Sequence, residues 1–75
     1  MPDNLDMATT AACFARKMLA RAQAHTGDIR SKYLDAASAM IVAAEHYRDG
    51  HTAFAKRMMM RAELEMQAAA RLVQT

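Results

Sequence analysis

Alanine recurs every seven residues in three separate stretches of this chain, each flanked by larger apolar residues at helical spacing. A small side chain repeated at this interval lets two helix backbones approach closely along a shared seam. The pattern therefore predicts closely packed α-helices. The repeating positions are Ala8, Ala15 and Ala22, then Ala37 and Ala44, and finally Ala55, Ala62 and Ala69.

The length and the alanine content limit how much core the chain can build alone. Seventy-five residues make one domain (1–75), near the lower limit of independent folding. Apolar residues form 53% of the chain, but 18 of them are alanines, which remove little area from water at roughly 25 cal/mol per Å². We therefore expect partner chains to supply part of the stabilisation.

Two glycines divide the chain into three helical segments, because glycine ends helices and opens turns. Gly27 is placed for a left-handed C-cap, Asp28 and Thr52 are placed as N-caps, and the pair Asp49–Gly50 breaks the second segment. Both connections are short, so consecutive helices should be antiparallel. We expect an all-α, three-helix up-down-up antiparallel bundle with alanine-rich close packing. The expected helices cover about 4–25, 29–48 and 52–73.

Each helix carries one broad apolar face at the spacing of an amphipathic helix. These faces are the candidate core. The first contains Ala8, Ala11, Ala12, Ala15, Met18, Leu19 and Ala22; the second Ile29, Tyr33, Ala36, Ala37, Met40, Ala43, Ala44 and Tyr47; the third Phe54, Ala55, Met58, Met59, Ala62, Met66, Ala69 and Val73.

Several large apolar residues fall outside or at the edge of these faces. Met60 and Leu64 are one turn apart on the back of helix 3. On helix 2, Leu34 and Ile41 widen the apolar arc, while Val42 lies among polar residues. Single surface hydrophobes are normal, but a second contact surface explains this set better, and methionine is common at adaptable binding surfaces. We expect these five residues to form a partner interface.

Cys13 lies opposite the alanine seam of helix 1 and cannot form an intrachain disulfide, because it is the only cysteine. Three interpretations stay open: an incidental or partner-buried thiol, an interchain disulfide, and a thiol made reactive by nearby Arg16 and Lys17.

Basic residues on two helices could contact anions. The formal net charge is only +2 and acids are interspersed, so solvated helix faces explain these residues as well as phosphate contacts do. The candidate anion contacts are Arg16, Lys17, Arg21, Lys56, Arg57 and Arg61.

Motifs for catalysis or metal binding are not evident. The sequence holds no HExxH, P-loop, dinucleotide-binding glycine pattern or serine-nucleophile context. Methionines follow the expected core stripes, and although His46 and His51 straddle a turn where they could converge, two such residues are more often solvated. We expect no catalytic site, no cofactor and no metal. Glu65 is expected to form an ion pair at a helix boundary.

Residues 44–62, with Tyr47, Gly50, Ala55 and Ala62, resemble the helix-turn-helix of a tetratricopeptide repeat. The resemblance covers part of the chain, lacks the proline expected after the second helix, and does not recur with a 34-residue period. It implies helical-hairpin packing and no particular binding residues.

These observations favour a small non-catalytic helical protein that self-associates or packs onto a larger complex, of which a structural particle such as a virion is one example. A small DNA-binding regulator using a basic helix is the alternative. The sequence has no run of about 20 apolar residues and no signal-peptide pattern at its start. We therefore expect no membrane association, and a cytoplasmic location or a place within a viral particle.

Overall fold

The computed structural model describes residues 3–74, which form three α-helices. Helix α1 covers Asn4–Gln23, α2 covers Gly27–Arg48 and α3 covers Thr52–Gln74. Residues 3–74 contain no β-strand, and the all-α prediction is confirmed. Helix ends lie within two residues of the expected positions, which is the usual uncertainty where helices fray.

Helix α1 begins where the sequence predicts. The Oδ1 atom of Asp3 accepts a hydrogen bond from the backbone N–H of Asp6 at 2.8 Å. This contact satisfies one of the N–H groups that the first turn of a helix leaves without an internal partner. Asp6 also places a negative charge in the first turn, where the helix dipole favours it.

The connection between α1 and α2 differs in detail from the prediction. Helix α1 ends at Gln23, and the C-cap residue Ala24 closes the last turn with a right-handed backbone and an N–H bond to the Arg21 carbonyl. Gly27 does have a positive φ of 63°, but it is the first residue of α2 rather than the C′ residue of α1. Asp28 lies inside the first turn, so its assignment as the N-cap is wrong; Thr26 occupies that position.

The connection between α2 and α3 is a Schellman motif. The N–H of Gly50 donates to the Tyr47 carbonyl at 3.2 Å, and the N–H of His51 donates to the His46 carbonyl at 2.8 Å. Gly50 has a φ of 84°, which the motif requires and which glycine adopts at least cost. The predicted break at Asp49–Gly50 is confirmed.

Thr52 serves a different purpose from the predicted N-cap. Its hydroxyl donates to the Oδ1 atom of Asn4 at 3.1 Å, in a half-buried contact. The first carbonyl of α3 to accept a helical bond is that of His51, from the N–H of Ala55 at 3.0 Å. Thr52 therefore ties the beginning of α3 to the beginning of α1.

Alanines form most of the core. All eight positions of the seven-residue repeat are buried, none with more than 4% of its surface exposed, as the pattern predicts. Among the described residues, twelve of the sixteen buried apolar residues are alanines. The four larger ones are Met18, Tyr33, Met40 and Tyr47. Because methyl groups occupy so little volume, the helices can pack closely along these seams.

Helix α2 supplies half of the buried residues and lies between the other two helices. Both α1 and α3 pack along α2, and they contact each other far less. The three helices together measure 38 × 18 × 18 Å. One buried cluster, around Tyr47, combines residues from the beginning of α1, the end of α2 and the beginning of α3. The other, around Tyr33 and Met40, combines residues from the rest of each helix.

The core prediction is wrong for three residues. Leu19, Phe54 and Val73 are each exposed by 40% or more. Leu19 and Phe54 lie toward the edges of their apolar faces, whose centres are occupied by the alanine seams. Val73 is in line with the alanine seam of α3, but it is one residue from the end of that helix. Ala39, outside the predicted face of α2, is buried instead. Ala12, Ile29, Met58, Met59 and Met66 are half-buried.

The ion pair of Glu65 joins two helices rather than neighbouring turns. Its Oε2 atom lies 3.5 Å from the Nζ atom of Lys32 on α2, without hydrogen-bond geometry. Among residues 3–74 this is the one contact of opposite charges within 4.0 Å. It links α2 to α3 at the side of the buried seam.

Candidate interaction surface

Half of the large apolar side chains in residues 3–74 lie on the surface. All five leucines and both phenylalanines are more than a third exposed. A folded protein normally buries such residues before it buries alanine, although single exposed ones are common. Within residues 3–74, the exposed large hydrophobes are Leu5, Phe14, Leu19, Leu34, Ile41, Phe54, Met60, Leu64, Leu72 and Val73.

Two surface grooves run beside α1. The first, here called the α1–α2 groove, has a volume of about 250 Å³. Leu19 and Ile41 contribute exposed apolar surface to it, and Arg16, Glu45 and Arg48 contribute charges. The rest of its lining consists of Ala12, Ala15 and Ala44. The lining of this groove therefore combines apolar and charged side chains.

The second groove, here called the α1–α3 groove, has a volume of about 230 Å³ and is more apolar. It opens where α1 and α3 diverge above α2, and its one charged lining residue is Glu63. The Nζ atom of Lys17 lies 5.4 Å from the centre of the Phe14 ring, within the range of a cation–π contact. The apolar lining consists of Phe14, Met40, Met59, Met60 and Met66.

The five predicted interface residues are distributed over separate regions. Met60 lines the α1–α3 groove and Ile41 lines the α1–α2 groove. Leu64, which is 65% exposed like Met60, follows it by one turn but lines neither groove. Leu34 is 38% exposed and Val42 is half-buried. The structure therefore brings Met60 together with Phe14 of another helix, and not with Ile41.

Sequence reasoning missed Phe14 as a surface residue and assigned Leu19 and Phe54 to the core. Phe14 follows Cys13 on the outer side of the alanine seam, and that position was a sufficient signal that it would not be buried beneath α2. Leu19 gave no comparable signal, because it lies about 40° from the centre of its seam on the helical wheel. Phe54 lies about 80° from the centre of its seam, at the margin of the apolar arc.

All six candidate anion contacts are exposed. Arg16 lines the α1–α2 groove, while its neighbour Lys17 lies over the Phe14 ring beside the α1–α3 groove. The two adjacent cations therefore flank different grooves.

Cys13 is exposed, and its sulfur is a free thiol. No residue of the described part of the chain buries it. A neighbouring molecule could therefore reach the thiol directly.

Two histidines meet at the turn between α2 and α3. The Nδ1 atoms of His46 and His51 are 3.3 Å apart, and the His46 ring packs on Phe54 with ring centres 4.4 Å apart. The third histidine, His25, stacks on Tyr33 near the other connection. Within residues 3–74, no group of three or more histidine, cysteine, aspartate or glutamate side chains converges as metal ligands.

No helix among the described residues is both long enough and apolar enough to cross a membrane. Comparisons of this chain with protein families, with curated proteins and with solved structures gave no match.

Proposed function

We propose that this protein is a small, non-catalytic assembly subunit that associates with further copies of itself or with a larger complex through its exposed apolar surface. The observation that carries the proposal is the inverted distribution of side chains. Alanines fill the interior, while every leucine and phenylalanine is left more than a third exposed. The proposal involves no cofactor.

The energy available from this surface is substantial. Burial of a fully exposed leucine or phenylalanine side chain contributes roughly 1.5–3 kcal/mol. The leucines and phenylalanines of this chain still expose 37–65% of their surface, and a partner gains that fraction. A stable interface of ordinary size covers roughly 800 Å² of each partner, and the chain exposes 5125 Å². One such interface would occupy about a sixth of the surface, which leaves room for a second.

We place the main contact at the α1–α3 groove and its rim. Met60 stands at the rim, Leu64 extends the apolar surface along α3, and Phe14 supplies an aromatic wall. Flexible methionine side chains can adjust to a partner helix, and an amphipathic helix in a groove is a common mode of recognition. Leu34, Ile41 and Val42 would form a second contact on α2.

The proposal includes an up-down-up order of the three helices. Support comes from the buried cluster around Tyr47, which combines the beginning of α1 with the end of α2 and the beginning of α3. The hydrogen bond between Thr52 and Asn4 also joins the beginnings of α1 and α3. A cytoplasmic location, or a place within a particle such as a virion, is part of the same proposal.

The test is a double variant, Met60→Asp with Leu64→Asp, measured by sedimentation velocity. Two like charges at an apolar contact should lower the average mass toward that of one chain, because each would be desolvated without a partner in the contact. The matched control is Gln67→Asp with Gln74→Asp, which places the same charges at exposed polar positions of α3. Circular dichroism should show the same helicity in all three proteins.

Association of the Met60/Leu64 variant at the level of the unmodified chain would contradict the choice of surface. The same samples separate assembly from the DNA-binding alternative. A DNA-binding regulator would bind duplex DNA with an affinity that falls steeply between about 50 and 200 mM salt. An assembly subunit should show no binding to the DNA duplex.

A further inference from the structure

The turn between α2 and α3 holds two imidazoles at a spacing set by the backbone. In a Schellman motif the side chains of residues C3 and C″ contact each other. His46 and His51 occupy these two positions, since the His51 N–H donates to the His46 carbonyl. Gly50 supplies the left-handed residue between them. The approach of the two rings is therefore a consequence of the motif.

The distance between the two Nδ1 atoms matches the distance between two ligand nitrogens on one tetrahedral metal ion. Zinc–imidazole bonds are about 2.0–2.1 Å long, so two nitrogens bound to one tetrahedral zinc ion lie roughly 3.3–3.4 Å apart. The two Nδ1 atoms are 3.3 Å apart. The Phe54 ring packs on His46, which restricts the rotation of that imidazole. His51 is exposed, so the pair is accessible from solvent.

We propose that His46 and His51 bind a divalent transition-metal ion of borderline softness, Zn²⁺ in the first instance, through their Nδ1 atoms. One of the two Nδ1 atoms carries a proton when the rings share a hydrogen bond. On binding, that ring adopts the other tautomer, with its proton on Nε2, and both Nδ1 lone pairs face the ion. No third ligand converges within residues 3–74, so water completes the coordination.

Zinc binding by this histidine pair does not depend on self-association of the chain. A zinc site of this kind would join the last turn of α2 to the first residue before α3, whether or not the chain meets a partner. We expect a zinc affinity typical of an open site with two imidazole ligands. Only two protein ligands contribute, and two coordination positions stay with solvent.

The test is titration of the untagged full-length chain with ZnCl₂ by isothermal calorimetry, and with CoCl₂ by visible absorption. We expect saturable binding of one ion per chain, with a cobalt spectrum of imidazole ligation. His46→Ala and His51→Ala should each weaken binding at least tenfold, since even second-shell substitutions at metal sites cost roughly 10–100-fold. His25→Ala, which removes the histidine stacked on Tyr33, is the matched control and should bind as the unmodified chain does.

His51 lies outside both helices, so loss of binding in His51→Ala with unchanged helicity by circular dichroism reports the loss of a ligand and not unfolding. Absence of saturable Zn²⁺ binding to the unmodified chain would overturn the proposal. So would unchanged binding in both His46→Ala and His51→Ala, or an equal loss of binding in His25→Ala.

Discussion

At the scale of single residues, the determining feature is where alanine is placed. The seven-residue repeat identified eight buried positions from the sequence, because only a small side chain fits where two helices approach closely. The same argument failed for Leu19 and Phe54, which share the apolar arc but lie at its edges. Whether an edge residue is covered depends on the distance and tilt of the neighbouring helix, which one helical wheel does not contain.

Enlarging a seam alanine should destabilise the fold. Ala62 is fully buried, so Ala62→Leu must separate α3 from α2 or force strained rotamers, and should lower the free energy of unfolding by about 1–3 kcal/mol. The control is Ala70→Leu, at an exposed position of the same helix, where we expect a change within about 0.5 kcal/mol. Urea denaturation at one fixed protein concentration measures both. Equal stability of the two variants would show that the seam is not closely packed.

At the scale of the helices, the sequence located the three elements and both breaks, because glycine and the apolar periodicity are local signals. It did not identify the N-cap residues of α2 and α3. Asp28 and Thr52 have suitable side chains, yet Thr26 precedes α2 and the hydroxyl of Thr52 bonds to Asn4 of another helix. The choice among neighbouring polar residues depends on tertiary contacts.

The Schellman turn gives an element-scale prediction. A Cβ atom at Gly50 would meet no atom within 4 Å, so Gly50→Ala introduces backbone strain at a φ of 84° but no collision. We expect the free energy of unfolding to fall by about 1 kcal/mol. Gly50→Asn should lose less, because asparagine tolerates the left-handed conformation better than alanine. Thermal denaturation of both variants would reveal the order; an alanine variant more stable than the asparagine variant would contradict it.

At the scale of the whole molecule, the arrangement of α1 and α3 on α2 creates two grooves and separates residues that the sequence grouped together. Met60 and Ile41 looked like members of one interface because both are large and off the core faces, but they line different grooves. The sequence could predict that apolar surface would be left over, from the number of alanines. It could not predict the partners of each residue, because Phe14 meets Met60 only through the relative placement of two helices.

The central claim is that this chain associates because its own core cannot cover its large apolar side chains. Sedimentation velocity of the full-length protein, from about 5 to 500 µM in low and in high salt, tests it most directly. The account predicts an average mass above that of one chain, rising with concentration and maintained in high salt, since burial of apolar surface is not screened by ions. A folded single chain at every concentration and salt would contradict it.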